Sequence, residues 1–114
     1  MSNLLEKLID NALEDKELLA SNNDLGDISS IGRNVEFRFI ATNKASSDLA
    51  CKVISNLKYG VPKVAKSGSV YEIRVTVHMP LTAEVVNCVS GFMACLGELF
   101  ALEYDGWEAD IVKG

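Results

Sequence analysis

The 114-residue sequence has little of what catalytic and metal-binding sites are usually built from. It contains one histidine, His78, and three cysteines, Cys51, Cys88 and Cys95, in no spacing typical of a metal site. It also lacks a glycine-rich phosphate loop, a nucleophile elbow and a CxxC motif. A lone histidine in a predicted strand is more often structural than a general base, because proton transfer needs positioned partners. The sequence therefore predicts no catalytic residue, no cofactor and no metal site.

Secretion and membrane insertion are also disfavoured. The three cysteines are an odd number and lie in apolar stretches with helical spacing, which predicts buried free thiols in a reducing compartment. Residues 1–19 interleave charges with leucines and do not resemble a signal peptide. Residues 83–102 are strongly apolar, but Glu84 and Glu98 would each cost about 2.5–3.5 kcal/mol near the centre of a bilayer. We expect a soluble cytoplasmic protein.

Basic residues are scarce at both ends of the chain. Residues 1–27 contain seven acidic residues and two lysines, and residues 98–114 contain five acidic residues and one lysine, within a total net charge of −5. An acidic protein repels phosphate backbones, so nucleic acid is a poor candidate partner and a basic protein segment a better one. Solvation of the surface is an equally simple explanation of the charge.

The spacing of apolar residues predicts the elements of one domain. Helical spacing predicts an amphipathic helix over residues 3–19, and a polar connector follows it. Beyond residue 34 the pattern predicts the order βαββαβ, with an edge strand at 61–66 that tolerates Pro62 and a hairpin turn at 67–69. This order predicts an α+β, ferredoxin-like sandwich in which four antiparallel strands carry two helices on one face. Residues 1–27 are then the N-terminal helix and connector, and residues 28–114 the α+β domain.

Three predicted helices carry specific packing expectations. The first helix of the domain is expected to be capped by Ser46, Ser47 and Asp48 and to bury Leu49, Val53, Ile54 and Leu57. The second is expected to begin at Thr82 and to face the sheet with Val85, Val89, Phe92, Leu96 and Leu99. Its small residues are Cys88, Gly91, Ala94, Cys95 and Gly97, and they leave room for another helix. We expect the N-terminal helix to fill that place through Leu5, Leu8, Ile9 and Ala12, with a homodimer as the competing solution.

The last predicted strand changes phase. Its apolar residues are even-numbered up to Tyr104 and odd-numbered from Trp107 to Ile111. One inserted residue explains the change, and Asp105-Gly106 is the natural place because glycine supplies the positive φ of a β-bulge. The phase makes Trp107 a core anchor whose indole N–H needs a partner.

The segment FMACLGELFALEYDGWEADIV resembles the C-terminal helix and strand of the RraB family, the protein inhibitors of bacterial ribonuclease E. The matching residues are Leu99, Phe100, Glu103, Tyr104, Asp105, Gly106 and Trp107. The resemblance implies a non-catalytic cytoplasmic protein that binds ribonuclease E and alters RNA turnover. Its candidate partner-facing residues are Glu103, Tyr104, Asp105, Gly106, Trp107, Glu108 and Asp110. The sequence ends at Gly114 without the long acidic tail of many members, which leaves open a shorter relative with another target.

Three alternatives rest on the same predicted sheet. Glu36, Glu72, Glu108 and Asp110 would share the open sheet face with Arg38 and Arg74, where cross-strand pairing explains them better than a metal or acid–base site. An RNA-recognition module stacks bases on aromatic residues of that face. Here the strand aromatics Phe37, Phe39, Tyr71 and Trp107 all fall in the core phase. A small-ligand-sensing module with a cleft at a subunit interface stays open.

Overall fold

A computed structural model describes residues 2–113, with side-chain surroundings from residue 4 onward. The elements in chain order are α1 (Ser2–Asp24), β1 (Arg33–Ala41), α2 (Lys44–Asn56), β2 (Val61–Ser67), β3 (Val70–Met79), α3 (Ala83–Leu99) and β4 (Glu103–Ala109). The four strands form one antiparallel sheet in the order β2-β3-β1-β4. The predicted α+β class and the four-stranded antiparallel sheet are confirmed.

The sheet has the two-residue period that the sequence predicts. Val35, Phe37 and Phe39 of β1 are completely buried, and in the β1–β3 register Phe37 lies opposite Val75 and Phe39 opposite Ile73. Alternating apolar side chains point to one side of a strand, so these residues build the core from one face of the sheet. The predicted hairpin joins β2 to β3, and Pro62 lies in the edge strand β2, where its missing N–H is tolerated.

Helix α2 differs from its prediction in cap and face. Asn43 is the N-cap, and its side-chain oxygen accepts a 3.2 Å hydrogen bond from the Ser46 backbone N–H. The predicted cap at Ser46, Ser47 and Asp48 is therefore wrong, because the helix already begins at Lys44. The residues that α2 buries are Ser47, Ala50 and Ile54. Of the predicted face Ile54 is buried and Val53 half-buried, whereas Leu49 and Leu57 are exposed.

Helix α3 begins after Thr82 as predicted, but its buried face is rotated. The buried residues are Val86, Ser90, Met93, Leu96 and Gly97. Only Leu96 of the predicted sheet-facing set is fully buried; Val85 and Val89 pack partly against the core, while Phe92 and Leu99 are exposed. The rotation arises because α3 packs against both the sheet and α1, and the second contact is polar at Ser90. Gly97 lies against the start of β4, where an added Cβ would come within 3.1 Å of the Leu102 carbonyl oxygen.

Helix α1 packs against α3 as predicted and extends five residues further than the predicted end. The predicted surface of small residues is wrong, since α1 contacts Ser90, whereas Cys88 and Cys95 are exposed. The residues that turn inward are Leu4, Leu8, Asn11, Asp15, Leu19 and Asn22. The expected contact residues are wrong except Leu8, since Leu5 and Ile9 are 61% and 53% exposed and Ala12 is exposed. Asn11 and Asp15 occupy this face because they find hydrogen-bond partners on α3 and β4.

The cysteine prediction is half right. All three are free thiols, but only Cys51 is half-buried, and Cys88 and Cys95 are exposed. Helical spacing places both exposed thiols on the side of α3 that faces neither the sheet nor α1. Within residues 2–113, no helix combines the length and apolarity that crossing a membrane requires.

Candidate functional site

The predicted β-bulge is present in β4. Trp107 lies opposite Phe37 and Tyr104 opposite Phe39, so Asp105 and Gly106 share the place opposite Arg38. Gly106 has a φ of +84°, a conformation that residues with a Cβ seldom adopt. The extra residue shifts the inward–outward alternation of side chains in β4 by one position. Tyr104 and Trp107 therefore both point toward the helices.

Trp107 is the core anchor that its phase predicts. Its side chain is packed in the hydrophobic core, with 8% of the residue exposed. The indole Nε1–H donates a 2.9 Å hydrogen bond to Oδ1 of Asp15, which is itself 4% exposed. A buried indole N–H without an acceptor would be costly. Asp15 of α1 supplies that acceptor.

The hydrogen bonds continue from Asp15 into a chain that joins three elements. Asn11 donates to the Ser90 hydroxyl at 2.9 Å and, over a longer 3.4 Å, to Oδ2 of Asp15. The Ser90 and Tyr104 hydroxyls are hydrogen-bonded at 2.8 Å. We call Asn11, Asp15, Ser90, Tyr104 and Trp107 the Asp15 network. It fixes α1 to α3 and β4 with directional contacts.

Burial controls the protonation of the Asp15 network. Desolvation raises the pKa of Asp15 above its ordinary 3.8, against the opposing effect of contacts with Ser90 and Trp107. Burial also raises the pKa of Tyr104, and the negative charges of Asp15 and Glu14 add to the shift while the contact with Ser90 opposes it. Tyr104 consequently remains a neutral hydrogen-bonding group at physiological pH.

A second polar cluster joins the connector between α1 and β1 to the residues that follow β4. The buried Arg33 guanidinium pairs with Asp27 and donates to the backbone oxygens of Ile28 and Asp110 at 2.8 and 3.0 Å. The same Asp27 oxygen accepts a 2.8 Å hydrogen bond from the Val112 N–H. Burial opposes ionisation of Asp27, but these hydrogen bonds and the charge of Arg33 outweigh it and lower its pKa. We call this cluster the Arg33 clamp.

The open face of the sheet carries the predicted cross-strand ion pairs. Arg74 of β3 contacts Glu108 of β4 at 2.9 Å and Glu36 of β1 at 3.5 Å, and it also contacts Glu72 of its own strand at 2.5 Å. Arg38 contacts Asp105 at 2.8 Å. A shallow depression of about 430 Å³ lies over this face, lined by Asn34, Glu36, Thr76, Glu108, Ala109 and Asp110. Pairing with arginine accounts for Glu36, Glu72 and Glu108 and leaves Asp110 at the rim.

His78 stands apart from these carboxylates. It is exposed on β3, and its Nδ1 lies 3.2 Å from Oδ1 of Asn34. The Asn34 amide can share a hydrogen bond with His78, but it cannot take up a proton as a carboxylate could. The pair is therefore a surface hydrogen bond and not an acid–base couple. Within residues 2–113, no three His, Cys, Asp or Glu side chains converge closely enough to hold a metal ion.

The candidate partner-facing residues divide into two groups. Tyr104 and Trp107 belong to the Asp15 network, and Gly106 shapes the bulge between them. Glu103, Asp105, Glu108 and Asp110 are exposed, and all four carry a carboxylate. The predicted set therefore combines three inward structural residues with four outward acidic residues along and just beyond β4.

Sequence reasoning missed Asn11, Asp15 and Ser90 as one unit. A signal exists on α1, since residues 4, 8, 11, 15, 19 and 22 follow steps of three or four that mark one helix face. Three residues of that face, Asn11, Asp15 and Asn22, are polar. Polar side chains predict an exposed face unless hydrogen-bond partners for them are known. Arg33 carries no comparable signal, because its acceptors are mainly backbone oxygens brought together by the fold.

Fold and site together define a small α+β domain in which buried polar groups attach the N-terminal helix to the last strand by hydrogen bonds. Comparison with protein-family models matches residues 12–109 to RraB, Regulator of ribonuclease activity B. The match runs from the middle of α1 to the end of β4, and the chain belongs to the RraB family, as its resemblance predicted. No curated protein matches the chain in a sequence search.

Proposed function

We propose that this protein is a non-catalytic regulator that binds ribonuclease E, or a related protein partner, and inhibits or modulates RNA processing. Membership of the RraB family carries the proposal, because the family is described as a regulator of ribonuclease activity. The proposal places the protein in the bacterial cytoplasm, where ribonuclease and RNA meet.

The charge of the surface supports a protein rather than an RNA partner. The net charge is −5, and Glu103, Asp105, Glu108 and Asp110 expose four carboxylates along and just beyond β4. Asp105 and Glu108 are each paired with an arginine, but the net negative charge still repels phosphates and attracts basic segments of proteins. In this proposal the four carboxylates contribute to partner contact, while Tyr104, Gly106 and Trp107 give the strand its shape.

The domain itself is proposed to be the ferredoxin-like βαββαβ sandwich. The strand order β2-β3-β1-β4 supports this, as do the buried residues that α2 and α3 contribute to the same core as β1 and β3. Such a sandwich leaves the other sheet face open for interactions.

The test adds purified protein to a ribonuclease E cleavage reaction and separately measures direct binding. We expect slower or altered cleavage, saturable binding, and no RNA cleavage by the protein alone. Association should weaken as salt rises, because steering between exposed charges is screened over about 10 Å at 0.1 M salt. If the protein neither binds ribonuclease E nor changes cleavage at micromolar concentration, ribonuclease E is not its target.

A further inference from the structure

An apolar groove lies between α1 and the N-terminal part of α3. Its volume is about 630 Å³, and its walls include Ile9, Ala12, Leu13, Leu19, Ala83 and Asn87. The walls are largely apolar, and Ile9 and Leu13 are 53% and 58% exposed. Leu5, 61% exposed, continues the stripe toward the start of α1. Large aliphatic side chains so exposed, and aligned along one helix, are costly in water unless something covers them.

Carboxylates line the outer side of this stripe. Glu6, Asp10, Glu17 and Asp24 fall within about 40° of one another around the helix axis and form a row about 27 Å long. Among the residues whose side chains the structure describes, none of these four forms a salt bridge. Lys16 also lines the groove, but it is outnumbered by the row. Glu84, in the first turn of α3, adds a further negative charge next to Ala83.

We propose that this groove binds an amphipathic helix of the protein partner, with its apolar side against Leu5, Ile9 and Leu13 and its basic residues along the carboxylate row. A helix lying in a groove presents apolar anchors at steps of three and four, which matches the spacing of residues 5, 9, 12 and 13. Lysine or arginine on the flank of such a helix reaches acidic residues on the rim. The identity of the partner rests on the proposed function, whereas its chemistry rests on the groove.

A second copy of this chain fits the groove poorly. A two-fold dimer through α1 would use the same stripe on both copies and run the two helices antiparallel or crossed. The carboxylate row of one copy would then face that of the other, near Glu6 and Asp24 of opposite chains. Like charges brought together in this way oppose association, so charge complementarity selects a basic partner.

The first test uses the full chain and a labelled synthetic peptide of about 18 residues, long enough to span the row as a helix. The peptide carries leucine at helical spacing on one side and lysine on the other. A scrambled peptide of the same composition serves as its control. We expect saturable binding of the patterned peptide that is about tenfold tighter than that of the scrambled one. Equal binding of the two peptides would overturn the proposal.

Variants of the chain locate the contact. The double substitution Ile9→Ser/Leu13→Ser should weaken binding of the patterned peptide about tenfold, because both apolar anchors are lost. The matched control is Leu49→Ser/Leu57→Ser, which changes two similarly exposed aliphatic residues, one on α2 and one at its C-cap. Asp10→Asn/Glu17→Gln should slow association and reduce its salt dependence, whereas Asp48→Asn/Glu72→Gln should not. Unchanged binding by both groove variants would contradict the assignment.

The second test repeats these measurements with purified ribonuclease E. Binding by the wild type that is lost in Ile9→Ser/Leu13→Ser supports groove and target together. Equal binding by wild type and groove variants would overturn the groove while leaving the proposed function standing. Patterned-peptide binding at the groove without nuclease binding would overturn the proposed target alone. A concentration-dependent dimer of the free chain that Leu13→Glu abolishes would show that a second copy is the occupant and would overturn the proposal.

Discussion

Asp15 is a buried carboxyl group that joins the first helix to the last strand. Its Oδ1 accepts the Trp107 indole hydrogen bond, yet burial makes the ionised form costly and raises its pKa. The folded protein therefore holds a proton at Asp15 more tightly than the unfolded chain does. It follows that this residue's contribution to stability falls as pH rises from 3.8 through the raised folded value.

Asp15→Asn should remove that loss. An asparagine side-chain oxygen can still accept the Trp107 N–H, and it carries no charge to desolvate. We expect the variant to gain stability relative to the wild type as pH rises through this window, measured by denaturant unfolding at several pH values. Asp15→Ala should instead cost about 1–3 kcal/mol, because the indole N–H loses its acceptor. Asp24→Asn, an exposed site on the same helix, controls for the loss of charge, and parallel pH profiles for Asp15→Asn and wild type would refute the mechanism.

For single elements, the sequence predicts the buried faces of strands better than those of helices. The faces of β1 and β3 and the β4 bulge follow directly from alternation, because a two-residue period allows only two faces. Helices allow more choices, and α1 and α3 each turn inward a polar residue that hydropathy assigns to solvent. Asn11 and Ser90 satisfy one another only after the helices meet. That pairing could not be predicted from either helix alone.

The bulge in β4 separates a folding role of the EYDGW segment from a binding role. Gly106→Val should cost about 1–3 kcal/mol, because a β-branched residue avoids positive φ. No neighbouring atom lies within 4 Å of an added Cβ at this position, so the cost would arise from the backbone conformation. Trp107→Ala should cost about 3–5 kcal/mol by emptying part of the core.

Thermal unfolding and partner binding measured on the same variants distinguish the two roles. A folding role lowers the melting temperature of both Gly106→Val and Trp107→Ala. Trp107→Phe should fall in between, since it keeps an aromatic ring but leaves Asp15 without its donor. A Trp107→Ala protein that melts normally and binds its partner weakly would overturn the core assignment.

For the whole molecule, the question is whether the N-terminal helix is an accessory or part of the fold. Deleting residues 1–20 would remove Asn11 and Asp15 and uncover the side of α3 that contains Ser90. We expect the truncated protein to melt at lower temperature and to aggregate, as measured by calorimetry and size-exclusion chromatography. A chain lacking only residues 1–3 serves as the control. A truncated protein that stays monomeric and equally stable would show that α1 is dispensable for folding.

The Asp15–Trp107 hydrogen bond also sets an order of events during synthesis. Its two residues are 92 positions apart, so α1 is synthesised long before β4, which supplies the Trp107 donor. Contacts of such high sequence separation form late. Asp15 therefore lacks its hydrogen-bond partner, and the carboxylates and leucines of α1 stay in water, until β4 has been translated. For that interval the leucines and carboxylates of α1 are exposed to chaperones and to premature association.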